Sequence, residues 1–263
     1  MKKLFLVLAM ATGLTALFAQ NIPEGRKLFP LAWDYANDTT AWTHSEVQSI
    51  DPMADEYVVT GYVVLKNIVG YVKQSYTTTL KGQGNTFTVT CADMETVSCS
   101  KDGKVAPSSR ATRNPSSTVA KLEQLITDNL TKKITGWTDD EYEAKLNDAV
   151  TDPTFIVYTV ASGSNLSVKK FFTDNKLMGR KMNKDINVVS VDESKKEGFS
   201  YYATLNVFKS SDFSKYKIIF FYLDSNNDKL LSAKKDEMYS LTAEVVDFGF
   251  NTLNNFTVTL EEK

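Results

Sequence analysis

The stretch Glu56-Tyr57-Val58-Val59-Thr60-Gly61-Tyr62-Val63-Val64-Leu65-Lys66 decides the fold class. β-Branched and aromatic side chains fill it, the composition of a strand. Gly61 in its middle marks a bulge or the close approach of another backbone. Val72, Gln74, Tyr76, Thr78 and Leu80 follow on alternate positions, so a second strand runs beside the first. Lys81-Gly82-Gln83-Gly84-Asn85 is turn chemistry. Phe87, Val89 and Cys91 then alternate with Thr86, Thr88 and Thr90, a strand with one wet face. Asp102-Gly103 marks another tight turn. Residues 56 to about 106 therefore read as an antiparallel meander.

Outward from the meander the pattern changes twice. Residues 20–50 read as irregular, because Pro23, Gly25 and Pro30 interrupt any period, while Trp33, Tyr35 and Trp42 offer core cover. Residues 106–117 form a loop-like linker. Val119, Leu122, Ile126 and Leu130 then fall on one helical stripe, capped by Ser117 or Thr118 and ended by Gly136. Thr138-Asp139-Asp140-Glu141 is a capping box that opens a second helix, and Asp152-Pro153 stops it. Beyond it come runs that read as strands: Phe155–Val160, Leu166–Phe172, Ile186–Val191, Tyr201–Phe208, Lys217–Leu223, Met238–Phe248 and Phe256–Leu260. Closely spaced turns between them suggest a β-sandwich. The expected fold is α+β and mostly antiparallel, with a domain at 20–150 (a meander, then an αα-hairpin) and a sandwich-like domain at 151–263.

The N-terminus carries an export pattern. Met1-Lys2-Lys3 is a positive start, Leu4 to Phe18 is apolar apart from Thr12, Gly13 and Thr15, and Ala19 is a small residue at the cleavage position. The apolar run is shorter than the roughly 20 residues that span a bilayer. We expect residues 1–19 to be a removable signal peptide, and the mature chain to act in the periplasm, at the cell surface or in the medium. Removing Lys2 and Lys3 from the 30 basic residues leaves 28 against 32 acidic ones, a net charge of −4. That balance suits solubility and argues against a nucleic-acid partner, which requires a basic face. No later apolar stretch approaches spanning length. In an oxidising compartment Cys91 and Cys99 form a disulfide pair if the chain folds back as a hairpin about Met94-Glu95.

Chemistry-bearing motifs are sparse. The chain has one histidine, His44, in the polar segment Trp42-Thr43-His44-Ser45-Glu46, which excludes most zinc sites and leaves one base for a triad. Gly82-Gln83-Gly84 begins like a nucleotide-binding loop but lacks the third glycine and the helix, and reads as a turn. Asp224, Asn226 and Asp228 sit at the spacing of the first three ligands of a calcium loop. Lys229 and Lys235 occupy the positions of that loop's glycine and closing glutamate, so a hairpin turn is the favoured reading. The carboxylate clusters Asp55-Glu56, Asp139-Asp140-Glu141, Asp192-Glu193 and Glu261-Glu262 mostly fall at turns, caps or the C-terminus, as solvated surface does. We assign no catalytic, cofactor or metal residue.

Tyr57-Val58-Val59-Thr60-Gly61-Tyr62-Val63, Tyr76-Thr77-Thr78-Thr79-Leu80 and Thr86-Phe87-Thr88-Val89-Thr90-Cys91 lie within residues 45–100. This region resembles small secreted bacterial domains of unknown function with a TBP-like fold. Residues 200–250 resemble immunoglobulin-like secreted domains with a Phe-x-Leu-Tyr-Asp signature, through Phe220-Phe221-Tyr222-Leu223-Asp224, with Tyr and Leu exchanged. Both resemblances imply a β-rich fold and no catalytic site. The expectation is an exported binding or envelope-associated protein, acting through sheet faces or edges on a protein or glycan partner. The alternatives are a carboxylate-dependent hydrolase with a cleft between the domains and a self-assembling surface component.

Overall fold

The computed structural model describes residues 20–209 and 218–263, and the expected signal peptide lies outside them. The fold is α+β and mostly antiparallel, built as two compact units that divide between Lys145 and Leu146. No helix among the described residues is long and apolar enough to cross a membrane.

The first unit is a sheet with helices. Its strands are β1 (Gln20–Asn21), β2 (His44–Asp51), β3 (Glu56–Lys66), β4 (Tyr71–Gln83), β5 (Thr86–Cys99) and β6 (Thr112–Arg113). Their order is β1-β5-β4-β3-β2, with β6 added to β5, and every pair is antiparallel. The meander is thus as expected. The stretch 20–50 is not irregular, for it holds helix α1 (Leu28–Ala36) as well as β2. Pro30 is the third residue of α1, in the first turn, where its missing N–H removes no intrahelical bond. Leu28, Phe29, Leu31, Trp33 and Tyr35 of α1 are buried, as are Tyr57, Val59, Leu80, Phe87 and Val89 of the sheet. Helix α2 (Ser116–Gly136) contributes Ile126, Leu130 and Ile134 to the core.

Polar contacts fix these layers. Arg26 donates through Nη1 to the Ile134 carbonyl and through Nη2 to that of Trp137 at 2.6 Å, which satisfies acceptors left open at the end of α2. The capping box is present: Thr138 N donates to Glu141 Oε2 at 2.7 Å, and Glu141 N to Thr138 Oγ1 at 3.2 Å. Asp34 holds Lys133 of α2 and Lys145 of α3 (Asp139–Thr151), each at 2.6 Å. Gly61 is a site of close approach, since a Cβ there would stand 2.4 Å from both the His44 carbonyl oxygen and the Trp42 ring.

Cys91 and Cys99 both lie on β5, and both are free. The expected hairpin about Met94-Glu95 does not form, because β5 continues past that point against β4, with a bulge at Asp93-Met94 where Asp93 adopts φ +52°. Eight residues along a strand span about 26 Å, whereas a disulfide needs Cα atoms roughly 4–7 Å apart, so the two cannot bridge within the chain.

The second unit begins with two helices where the sequence suggested strands. These are α4 (Pro153–Ser162) and α5 (Asn165–Asp174). Asp152 caps α4, accepting from Thr154 N at 2.8 Å, and Pro153 takes the first helical position. Asp152-Pro153 therefore ends one helix and starts the next. Phe155, Ile156, Thr159 and Val160 are buried at helical spacing, so packing overrides the strand propensity of Phe-Ile-Val-Tyr-Thr-Val. Ser164 caps α5.

Strands β7 (Lys181–Asn187), β8 (Ser190–Glu193), β9 (Tyr201–Lys209), β10 (Ile218–Ser225), β11 (Met238–Phe250) and β12 (Phe256–Glu262) follow, with a one-turn helix α6 (Asp228–Leu231) after β10. Their order is β7-β11-β12-β10-β9-β8. The two ends of that order are consecutive in the chain. Val188 pairs with the Asp236–Glu237 backbone on one side, and Val189 N donates to the Thr204 carbonyl on the other at 2.8 Å. β7 and β8 are two halves of one strand, and the sheet closes on itself. The unit is therefore a barrel rather than the expected sandwich. Its five effective strands and one parallel pair, β10 with β12, follow the Greek-key order of the OB-type barrel. Phe221, Leu223, Leu241, Val245, Val258 and Leu260 fill the interior, and Phe172 of α5 packs on Phe256, their ring centroids 5.5 Å apart.

Candidate functional site

The pleat of β10 sorts its apolar run onto two faces. Ile219, Phe221 and Leu223 point into the barrel and are buried, while Phe220 and Tyr222 remain half-exposed on the outside. A bulge opposite Phe221 and Tyr222 resets the register of β9, so Tyr222 pairs with Thr204 and Asp224 with Tyr202. The outer face thus carries three rings in near-parallel array. Phe220 and Tyr222 lie 5.8 Å apart at 5°, and Tyr222 and Tyr202 lie 5.6 Å apart at 20°.

A charged cleft continues from the rings. It has a volume of about 530 Å³ and is lined by Asp192, Glu193, Lys195, Lys196, Tyr202 and Asp224. Cross-strand pairing brings them together, since Asp192 opposes Tyr202, Tyr202 opposes Asp224, and Asp224 opposes Glu261. Burial, then the neighbouring Tyr222 and Asp224, pushes the Tyr202 hydroxyl up to about 12. It stays protonated across the physiological range and can both donate and accept. Lys196 donates to Glu261, and Ser194 Oγ donates to Asp224 Oδ1 at 2.7 Å.

The calcium-like triplet works here as a clasp. Asp224 accepts from Ser194, Asn226 Oδ1 from Ser200 N at 2.9 Å, and Asp228 Oδ1 from the Tyr201 hydroxyl at 2.8 Å. Asn227 caps α6 through Lys229 N at 3.1 Å. The three oxygens spread along the 194–201 loop and pin it to β10, forming one wall of the cleft. Among the described residues no group of three His, Cys, Asp or Glu side chains is placed to hold a metal ion.

The remaining residues singled out in the sequence are scattered. His44 is exposed on β2, its ring 5.6 Å from that of Tyr62. Gly82-Gln83-Gly84 closes the β4–β5 hairpin, with Gly84 at φ +61°. Glu56 meets Lys81 at 2.8 Å, Asp139 meets Arg26 at 3.4 Å, and Glu262 is buried under Ser225 and Tyr239. Of the carboxylate pairs, Asp192-Glu193 alone lines the barrel cleft, with Asp224 from the triplet. Tyr202, Tyr222, Phe220 and Lys196 escaped the sequence reading. Their signal is the alternation in Phe220-Phe221-Tyr222-Leu223-Asp224, but an apolar run does not declare which face is out.

The first unit has its own concavity of about 370 Å³, lined by Tyr35, Tyr76, Leu122, Ile126 and Lys133 among others. Its polar groups are tied to one another, the Tyr35 hydroxyl to Thr78 at 3.1 Å and Lys133 to Asp38 at 3.0 Å.

Comparison with protein-family models, curated proteins and solved structures finds no match to this chain.

Proposed function

We propose that the chain is an exported bacterial protein whose C-terminal barrel binds a glycan on the outer face of β9 and β10 without turning it over. The observation that carries this reading is the parallel array of Phe220, Tyr222 and Tyr202 running into the charged cleft. A sugar offers an apolar C–H face and a rim of hydroxyls. Aromatic rings take the first by contact. Carboxylate, ammonium and tyrosine hydroxyl groups take the second through charge-assisted hydrogen bonds. Barrels of this topology use this face for oligonucleotides or oligosaccharides, an analogy of fold alone. Asp192, Glu193 and Asp224 oppose a polyanion, which favours the sugar.

Binding is favoured over hydrolysis because Asp224 accepts from Ser194 and is held in the wall, and the other two cleft carboxylates, Asp192 and Glu193, are successive residues of one strand rather than a pair facing each other across the cleft. A glycosidase needs two carboxylates free to flank one bond. Export rests on the leader pattern of residues 1–19.

A glycan array probed with the chain lacking residues 1–19, followed by calorimetry on the best ligand, tests the reading. Tyr222→Ala is expected to weaken binding by about tenfold or more, in line with loss of a central aromatic contact of roughly 1.5 kcal/mol. Release of reducing ends, or affinity unchanged by the substitution, would overturn it.

A further inference from the structure

We infer that the β3–β4 hairpin tip inserts into an anionic lipid surface. The distal half of the first sheet has no core on either face. From Gly61 to Lys66 on β3, Tyr71 to Ser75 on β4 and Glu95 to Cys99 on β5, no residue is buried. This ribbon ends in Asn67-Ile68-Val69-Gly70, and the two apical residues are exposed at 106% and 95%. Leu65 beside them is also exposed.

The turn is ordered by its flanks rather than its apex. Asn67 Oδ1 accepts from Val69 N at 3.0 Å and Gly70 N at 2.9 Å, and Asn67 N donates to the Gly70 carbonyl at 2.8 Å. Gly70 adopts φ +148°, a backbone state that favours glycine. Nothing in this geometry asks for β-branched apolar residues at the apex, where polar residues are the rule. A preformed apex enters an apolar medium with little ordering cost.

The surrounding charge selects the medium. Residues 62–75 and 95–106 hold four lysines, Lys66, Lys73, Lys101 and Lys104, and two acids, Glu95 and Asp102, in a chain whose net charge is −2. Asp102 is held by Lys104 at 2.8 Å, so the excess at this end is positive. Tyr62 and Tyr71 stand on the same ribbon, and Lys73 Nζ sits 3.8 Å over the Tyr62 ring. An apolar tip, a collar of lysines and tyrosines behind them match the layers of an anionic bilayer: hydrocarbon, phosphate and interface. An apolar pocket of a protein partner would explain the tip but not the collar.

Co-sedimentation of the chain lacking residues 1–19 with vesicles of mixed phosphatidylglycerol and phosphatidylcholine, against vesicles of phosphatidylcholine alone, tests the inference. Partition is expected into the anionic vesicles, with a fall of about fivefold for each of Lys66→Ala and Lys101→Ala. The double variant Ile68→Asp, Val69→Asp is expected to lose more than tenfold, with an unchanged thermal melt because the apex lies outside the core. As a check that needs no variant, raising salt to about 0.5 M should release the unmodified chain. Absence of partition, partition equal on neutral vesicles, or an unaffected double variant would overturn the inference, and so would capture of the tip only by a protein.

Discussion

The two units bury similar chemistry in opposite ways. The first spreads its strands as an open layer, roofed at one end by α1 and α2 and bare at the other. The second rolls its strands into a barrel around an interior of Phe221, Leu223, Leu241, Val245, Val258 and Leu260. The open layer leaves unburied apolar residues at its tip. The barrel leaves them on its outer wall, as Phe220 and Tyr222. In each unit one group of apolar side chains lies outside the core, at the tip of the open layer and on the wall of the barrel.

The comparison breaks first in the barrel core. Phe256 is fully buried and touches the rings of Phe172 and Phe250 at 5.5 and 5.1 Å. Phe256→Ala is expected to destabilise the second unit by about 3–5 kcal/mol. Hydrogen exchange would show protection lost across β7–β12 and kept in β3–β5; uniform loss in both would join the units into one cooperative body. Next comes the closest approach in the open sheet. Gly61→Ala forces a Cβ into the His44 carbonyl and the Trp42 ring, with an expected loss of about 1–3 kcal/mol on urea denaturation. A smaller effect tests the roof. Arg26→Ala frees two carbonyls at the end of α2, for about 1–2 kcal/mol.

The smallest effect is pH-dependent. Burial opposes ionisation of Asp38, but Thr40 and Lys133 outweigh it and hold the carboxyl below its usual range. A depressed folded-state value gives stability that is present above the unfolded carboxylate range near pH 4 and lost as the pH falls below it. Asp38→Asn should therefore cost under about 1 kcal/mol at neutral pH and nothing in strong acid. A penalty that persists in acid would assign the effect to packing instead.

Sequence legibility follows the same division. β3, β4 and β5 are consecutive and pair with their neighbours, so local alternation and the turns at Gly84 and Asn67-Gly70 specify them. Helix α2 announces itself by its stripe, although it starts at Ser116 after Pro115 and neither Ser117 nor Thr118 caps it, and α3 by its capping box. The barrel depends on non-local pairing: β10 meets β12 in parallel across α6 and β11, and β7 and β8 close the sheet, neither of which leaves a local pattern. Phe155–Val160 has the composition of a strand, but Asp152 caps it and Phe155, Ile156, Thr159 and Val160 bury one helical stripe. Cys91 and Cys99 illustrate the limit, since a turn at Met94 reads as plausibly as a continuing strand until the partner strand β4 is seen to run past it. The candidate face was hidden for the same reason: Asp192, Tyr202 and Asp224 are far apart in sequence and become neighbours by register alone.

The most direct test of the account is a hydrogen-exchange footprint of the chain with the tightest-binding oligosaccharide. Slowed exchange is predicted at residues 192–204 and 220–226, with the rest of the barrel unchanged. Protection confined to the first unit, or spread over neither, would contradict the assignment of the β9–β10 wall as the binding surface.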